Sequence, residues 1–300
     1  MILILFLYFI IALTFVLGKL LLGFVPPIFL IAIRMILSGI CLLFFYLFVQ
    51  KKPEFRRKQD YLYFIGVSLF HILIPFTTEY IALESMNPSE VCLCYNLSPV
   101  CSAFLSYLFF NEIMTLRKWA GLTTSIVGIV YFTNPHILAH PLSLFTPPSL
   151  AHIFMLISVV TAALGWILVR ILVRNRGFSP IFINGIAMLS AGVLALPLSY
   201  SIEGRVDIAA INNKGIFCLL LAALIFLANV VFYNMYSILL KKYTATILSF
   251  FGLLTPLFVV LLESVFLQVA VSRDFFVAVL IISFGIYIFY QEELQQGYID

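Results

Sequence analysis

Charge is what this 300-residue sequence has least of. Asp, Glu, Lys and Arg make up 10% of it, against about 25% in an average soluble domain. Hydrophobic residues reach 63%, against about 45–50%. A chain so poor in charge cannot cover a water-facing surface, which excludes a soluble globular fold. No stretch is long or polar enough to form a separate soluble domain, so the whole polypeptide is predicted to sit in a lipid bilayer. The formal net charge of +4 carries no argument for a nucleic-acid partner, because cations beside membrane helices have a topological explanation first.

Cysteine is scarce and odd in number. Cys41, Cys92, Cys94, Cys101 and Cys218 all fall in apolar stretches, which argues against a disulfide framework and for small packing residues. Cys92 and Cys94 stand two apart on a helix, so their thiols diverge by about 200° and do not grip one metal easily. His136, His140 and His152 surround the Pro-rich loop TNPHILAHPLSLFTPPSL, where a capped loop is preferred over weak metal binding. The sequence has no P-loop, no Gly-x-Ser-x-Gly element and no zinc-protease motif, which counts against ATP-driven transport by this chain alone and against the common hydrolases. No cofactor and no metal are expected. The start, MILILFLYFIIALTFVLGKLLLG, lacks a basic region and a small-residue cleavage site and is read as a retained first helix.

What is there instead is a series of apolar runs. A spanning helix needs about 20 apolar residues, and the chain divides at charged or Pro/Asn/Gly-rich breaks into ten such stretches. Their approximate limits are 2–22, 27–49, 61–83, 89–110, 116–133, 150–172, 180–200, 214–239, 244–268 and 274–290. The loops after the second, fourth, sixth and eighth spans hold Lys51, Lys52, Arg56, Arg57, Lys58, Arg117, Lys118, Arg170, Arg174, Arg176, Lys241 and Lys242. The opposite side holds Lys19, Arg205, Lys214 and Arg273. That bias puts both termini in the cytoplasm, and a bacterial inner membrane is the expected location.

The spans repeat. ALTFVLGK pairs with ALGWILVR, setting Ala12 on Ala163 and Lys19 on Arg170; PPIFLIAIRMILSG pairs with SPIFINGIAMLSAG, setting Pro27 on Pro180, Met35 on Met188 and Gly39 on Gly192. Further on, LSPVCSAFLSYLFF pairs with LTPLFVVLLESVFL, setting Pro99 on Pro256, and Gly128 matches Gly285. A five-helix unit has been duplicated, and because five is odd the copies enter the membrane from opposite sides. The predicted organisation is a first repeat over 1–133, a connecting loop over 134–149, a second repeat over 150–290 and a tail over 291–300. The fold class is therefore an all-α integral membrane protein, ten transmembrane helices in two inverted five-helix repeats around a central cavity. Inverted repeats characterise secondary transporters, whose site lies near the midplane between the repeats.

The order of Lys19 ending the first span, proline then Arg34 in the second, Ser98-Pro99 in the fourth with Asn111 and Glu112 at its end, and a Gly-containing fifth resembles the EamA-type unit of the drug/metabolite transporter superfamily. The resemblance covers both halves. It implies a cavity lined mainly by spans 1, 3, 4, 6, 8 and 9. The second copy departs from the family pattern. Gln268 and Val269 stand where many members are acidic, and Ala187 occupies the position of Arg34, so the halves have specialised.

Three ionisable residues fall well inside spans: Arg34, Glu79 and Glu263. Each costs about 2.5–3.5 kcal/mol at the bilayer centre on insertion scales. Counting inward at 1.5 Å per residue puts Arg34 roughly 10 Å deep, Glu79 about 6 Å and Glu263 about 7 Å, all in the outer third. They are expected to pair as a brace or gate, to hold the solute directly, or to snorkel outward. His71, Pro75 and Glu79 share a stripe, and Pro75 frees the carbonyl of His71; His71 by itself reads first as a packing histidine. Pro99 and Pro256 are the other helix-kinking residues. Ser249, Pro256 and Glu263 share a face matched by Cys92, Pro99 and Ser106, with Tyr95 and Asn96 beside it. Asn229, Tyr233 and Tyr236 form a polar and aromatic stripe, and Trp166 offers a rigid ring. These are equally readable as packing or as cavity lining. Lys19 and Arg170 read as interfacial anchors or gate residues, and Glu112 as an ion-pair partner of Arg117 and Lys118. The small faces Gly121–Ser125–Gly128 and Ala278–Ser283–Gly285 suit close packing within the chain or a homodimer contact.

The expected function is secondary transport of a small organic metabolite by alternating access, the partners being that solute and the lipid bilayer, with no nucleic acid. Both signs of charge and several rings in the predicted cavity favour an amino acid or derivative. Within the resembled family S-adenosylmethionine is also a candidate, with Glu79 or Glu263 facing the sulfonium and Tyr233, Tyr236 or Trp166 under the adenine. Two other readings stay open: a membrane-embedded enzyme using His71 and Glu79 as acid and base, and a structural membrane subunit.

Overall fold

The computed structural model describes residues 2–49, 58–110, 113–133, 149–207, 211, 213–240, 248, 252, 255–268 and 272–297. These residues are helical, with no strand among them. The elements are α1 (Ile2–Leu22), α2 (Pro27–Val49), α3 (Lys58–Gly66), a π-helical stretch Val67–Leu73, α4 (Ile74–Ser85), α5 (Pro88–Tyr95), α6 (Ser98–Phe110), α7 (Leu116–Thr133) and α8 (Leu150–Arg170). A second π stretch, Ile171–Asn175, follows; then α9 (Pro180–Ile202), α10 (Lys214–Leu224), a third π stretch Ile225–Phe232, α11 (Tyr233–Leu239), α12 (Thr255–Phe266) and α13 (Arg273–Gln295).

Among the described residues, seven helices are long and apolar enough to cross a membrane, and Phe6–Leu22 and Thr255–Phe266 are shorter apolar helices. Helix α7 is long enough but opens on Arg117 and Lys118 and carries Thr, Ser and Gly, which lowers its apolar character. Large apolar side chains such as Phe48, Leu116, Leu219 and Val265 lie exposed on the outside, a surface that suits lipid tails and not water.

The three prolines start helical segments. Pro75 has no N–H to donate; ahead of it the ladder widens, and the Ile74 N–H reaches back to the Leu69 carbonyl, five residues earlier, the bonding of a π bulge. Pro99 and Pro256 each stand second in a helix, α6 and α12, where the missing N–H has no intrahelical partner to lose. Ahead of Pro99 the helical span Pro88–Phe109 is interrupted at Asn96–Leu97.

Two helix pairs meet through glycine. A Cβ on Gly39 of α2 would lie 2.5 Å from the Leu189 backbone nitrogen of α9, and one on Gly192 of α9 would lie 2.7 Å from the Ile36 nitrogen of α2. Only hydrogen fits between these backbones. A Cβ on Gly121 of α7 would meet the Gly285 carbonyl of α13 at 2.5 Å, and one on Gly285 the Gly121 carbonyl at 2.6 Å. The small faces of α7 and α13 thus pack on each other within the chain, the first of the two readings given to them.

Cys92 and Cys94 are buried and all five cysteines are free, but Cys41 and Cys218 are exposed on apolar helices rather than packed inside. Arg117 bonds the Gln295 side chain at 3.0 Å and approaches Glu292 at 3.5 Å, while Lys118 is buried with its Nζ 5.4 Å from the Phe289 ring. The expectations placed on Asn111, Glu112, His136, His140, Ser249, Val269 and the loop cations Lys51, Lys52, Arg56, Arg57, Lys241 and Lys242 lie outside the described residues.

Candidate functional site

Among the described residues, side chains from α1, α2, the α3–α4 rod, α5, α8 and the α10–α11 rod converge on a cavity of about 140 Å3. Its lining includes Arg34, His71, Pro75, Glu79, Tyr95, Asn96, Pro99, Trp166, Tyr233 and Tyr236, which the sequence had singled out. Tyr8, Thr14, Phe76, Tyr80, Phe232 and Thr255 line it as well.

Arg34 is 2% exposed, so its partners decide whether it is tolerable. Its Nε–H donates to Asn229 Oδ1 at 2.8 Å and its Nη1–H to the Tyr80 hydroxyl at 2.7 Å, while the guanidinium carbon lies 4.8 Å from the Phe76 ring centroid. Two neutral oxygens and an aromatic face thus replace water around the cation. Asn229 is fully buried, outside the cavity lining, and its Nδ2 points at the sulfurs of Met35 and Met188, 3.4 Å from each. The π stretch leaves the Asn229 carbonyl available to Asn234 Nδ2 at 3.2 Å, and Asn234 Oδ1 accepts from Asn184 at 3.1 Å. Asn229 is thus a positioning residue behind Arg34, one step further from the cavity than its sequence stripe suggested.

Glu79 is also buried and accepts from the Tyr95 hydroxyl at 2.7 Å. Tyr95 lies 2.7 Å from Ser158 Oγ of α8, which lies 2.9 Å from the Pro75 carbonyl. Glu263 sits elsewhere: its Oε2 accepts the Ser89 N–H at 3.2 Å, at the start of α5, where a carboxylate meets the positive end of the helix dipole. It does not line the cavity. The expected three-residue cluster of Arg34, Glu79 and Glu263 is therefore corrected. Arg34 is bonded to an amide and a phenol, and Glu263 caps a helix, because side-chain direction separated groups that depth alone had equated.

Lys19 serves the same corner from α1. Its Nζ donates to the carbonyls of Leu83, Glu84 and Met86 at 2.6, 3.1 and 3.0 Å, closing the C-terminal end of α4. The α4–α5 turn is thus held by Lys19 on one side and Glu263 on the other, with Asn87 and Glu90 forming a capping box across it.

The aromatic wall is a stack. Trp166 lies 5.3 Å from Tyr233 with planes 24° apart and 4.1 Å from Tyr236, and His71 sets its edge against Trp166 at 4.3 Å. Neither His71 nitrogen has a hydrogen-bond partner, although the ring lines the cavity. Gly165 lets α8 approach this close: a Cβ there would lie 2.5 Å from the His71 Cα. Tyr80 and Tyr8 were missed by sequence reasoning; Tyr80 follows Glu79 directly, and Tyr8, whose hydroxyl donates to the Leu248 carbonyl, sits in the apolar first half of its span. No group of three metal-ligating side chains occurs among the described residues.

The profile of the EamA-like transporter family matches residues 1–134 and 149–291. Over 292 residues, 95% of this chain, the sequence is 29% identical to a Chlamydia muridarum (strain MoPn / Nigg) protein named S-adenosylmethionine/S-adenosylhomocysteine transporter, 90% of which is covered. A protein of the same name from Chlamydia trachomatis serovar D is 27% identical, with 95% of this chain and 87% of that protein covered. A UDP-galactose translocator 1 of Caenorhabditis elegans is 22% identical over 157 residues, 51% of this chain and 43% of that protein. A solved crystal structure superposes with a TM-score of 0.63 at 18% identity, over 95% of this chain and 94% of its own, which shows a shared fold.

Proposed function

Because the chain belongs to the EamA-like transporter family, a membrane family of transporters rather than enzymes, we propose that it moves S-adenosylmethionine or a closely related adenosyl amino acid across the membrane by alternating access. The observation that carries this reading is the cavity itself. It sets the Glu79 carboxyl, the Arg34 guanidinium and the Trp166–Tyr233–Tyr236 stack around one space. A solute with a fixed positive sulfonium, a carboxylate and a flat purine presents the complement of each. The names of the two Chlamydia relatives support the same solute class over a simple amino acid, which lacks a ring to meet the stack.

The alternating access of this reading rests on two inverted five-helix repeats over 1–133 and 150–290, ten spans in all, with both termini cytoplasmic in a bacterial inner membrane. The glycine contacts support the inversion. Gly39 meets Leu189 and Gly192 meets Ile36, and Gly39 pairs with Gly192, as Ile36 pairs with Leu189, in the repeat alignment. Such reciprocity, i on j and j on i, is what a two-fold axis produces. The Asn229 amide touching Met35 and Met188 alike lies where that axis passes between α2 and α9.

Purified protein in liposomes, offered labelled S-adenosylmethionine, S-adenosylhomocysteine, methionine and UDP-galactose with and without a proton gradient, tests the reading. Saturable movement of the adenosyl compounds, with competition between them, is expected. Movement of methionine or of the nucleotide sugar in their place would overturn it.

A further inference from the structure

Three oxygen–oxygen contacts form a chain along the cavity wall, through Glu79, Tyr95 and Pro75 of the lining and Ser158 behind them. Glu79 Oε2 to the Tyr95 hydroxyl is 2.7 Å, Tyr95 to Ser158 Oγ is 2.7 Å, and Ser158 Oγ to the Pro75 carbonyl is 2.9 Å. Each is a hydrogen-bond distance, so each gap needs one hydrogen. A phenol and a serine bring one hydroxyl hydrogen apiece, and the Pro75 carbonyl brings none. Thr78 supplies none to the line: its hydroxyl is nearer the Ile74 carbonyl, at 2.9 Å, than that of Pro75, at 3.2 Å. Three gaps with two hydrogens leave one pair of lone pairs face to face, unless the third hydrogen sits on Glu79.

We propose that Glu79 exchanges a proton during the transport cycle and that Tyr95 and Ser158 are positioning residues that convert its protonation state into a tie between α8 and α4. With Glu79 protonated, its O–H donates to Tyr95, Tyr95 donates to Ser158, and Ser158 donates to the Pro75 carbonyl. All three gaps close. With Glu79 ionised, Tyr95 turns to donate to the carboxylate, and the one Ser158 hydrogen is left with two acceptors, the Tyr95 oxygen and the Pro75 carbonyl. The Ser158–Pro75 bond is then shared with Tyr95, and the tie between the two helices weakens. One proton leaves the carboxyl for water in the cavity and none is transferred along the line; the two hydroxyls only turn.

The place of the switch gives it consequence. Pro75 lies two residues after the end of the π stretch Val67–Leu73, where the backbone ladder is already interrupted, and α8 carries Trp166 of the aromatic wall. A bond strengthened and weakened there moves cavity lining against cavity lining. Glu79 is set for exchange because no cation pairs with it at 4 Å or less among the described residues. The groups facing it are Arg34 from α2, which bonds Asn229 and Tyr80 instead, Cys92 and Tyr95 from α5, Tyr233 from α11, and His71 and Tyr80 from its own rod. Arg34 is the one fixed charge in that set.

The test needs no knowledge of the solute, so its outcome stands apart from that of the adenosyl reading, on which the proposal leans only for its role in transport. Infrared difference spectra of the full chain in detergent, recorded between acidic and alkaline buffer, report the carbonyl stretch of a protonated carboxyl. A band abolished by Glu79→Gln is expected. At a fixed intermediate pH, Ser158→Ala should weaken it at least twofold, because the protonated state loses the acceptor of the Tyr95 hydrogen while the ionised state keeps its Tyr95 bond. Tyr95→Phe should strengthen it, because the carboxylate loses its donor, and Ser158→Thr should preserve the wild-type intensity. In liposomes, Ser158→Ala should flatten the pH profile of transport where Ser158→Thr retains it. A band untouched by Glu79→Gln, or the same intensity in wild type, Ser158→Ala and Tyr95→Phe, would overturn the switch; a simple packing role for Ser158 would lower yield without moving the band.

Discussion

Arg34 gives its Nε–H to the side-chain oxygen of Asn229 across 2.8 Å, so the one arginine buried in α2 is answered by an amide and not by a carboxylate. The pair joins α2 to the π stretch before α11, with Arg34 in the cavity wall and Asn229 behind it. A cation neutralised by a carboxylate would present no field to a solute. One held by neutral partners keeps its charge available to an incoming carboxylate.

Asn229→Ala should therefore cost stability through Arg34. It removes the acceptor of a buried charged donor, a loss of about 1.5–3 kcal/mol. Asn229→Asp restores an acceptor and cancels the cation's field, so it should keep thermal stability in detergent while weakening binding of anionic or zwitterionic solutes. Thermal unfolding and solute affinity, measured side by side, separate the two effects.

Arg34→Lys is expected to behave as a loss and not as a conservative change. An ammonium is a compact point charge and lacks the planar fork that reaches Asn229 and Tyr80 together. Transport should fall about tenfold or more while the folded yield stays close to wild type. Retained transport would show that only the charge matters.

Trp166→Ala should raise the half-saturation concentration for an adenosyl solute roughly ten- to hundredfold, since stacking a base on an aromatic ring contributes about 1–3 kcal/mol. Trp166→Phe should recover part of the loss. A competition assay with adenosine reads the ring contribution without the charged tail.

Gly39→Val and Gly285→Val should disrupt the protein more than any cavity substitution. Their Cβ atoms would lie 2.5 and 2.6 Å from backbone of the facing helix, and backbone cannot turn aside as a side chain can. Overpacking of this kind costs about 1–3 kcal/mol or more. Loss of the monodisperse peak in size-exclusion chromatography is the expected readout. Gly215→Val, where nothing lies within 4 Å of the added atom, is the control.

Lys19→Met should loosen the α4–α5 turn. Three carbonyls at the end of α4 lose their common donor, in a position where a cation complements the helix dipole by about 0.3–1 kcal/mol. Faster amide exchange over residues 83–90, with little change in the Trp166 region, is expected by mass spectrometry.

Composition determined the solvent: with 10% charge, the chain could only be folded in lipid. Apolar run length and punctuation then determined the helices closely. The stretches 27–49, 116–133 and 214–239 coincide with helical rods of the structure, because a spanning segment satisfies its own backbone and needs no partner to form. Tyr233 and Tyr236 stood out as a stripe in the sequence and Trp166 as a rigid ring, which left packing and cavity lining equally open in a chain with 31 Phe and 15 Tyr. What neighbours each charge was left to tertiary structure. Arg34, Glu79 and Glu263 have similar calculated depths, yet one bonds an asparagine, one a tyrosine and one a helix end. Depth follows from counting along one helix; partnership depends on the rotation and crossing of several. Those are set by contacts such as Gly39 on Leu189 and Gly165 on His71, between residues far apart in the chain, and no local pattern records which glycine will face which backbone.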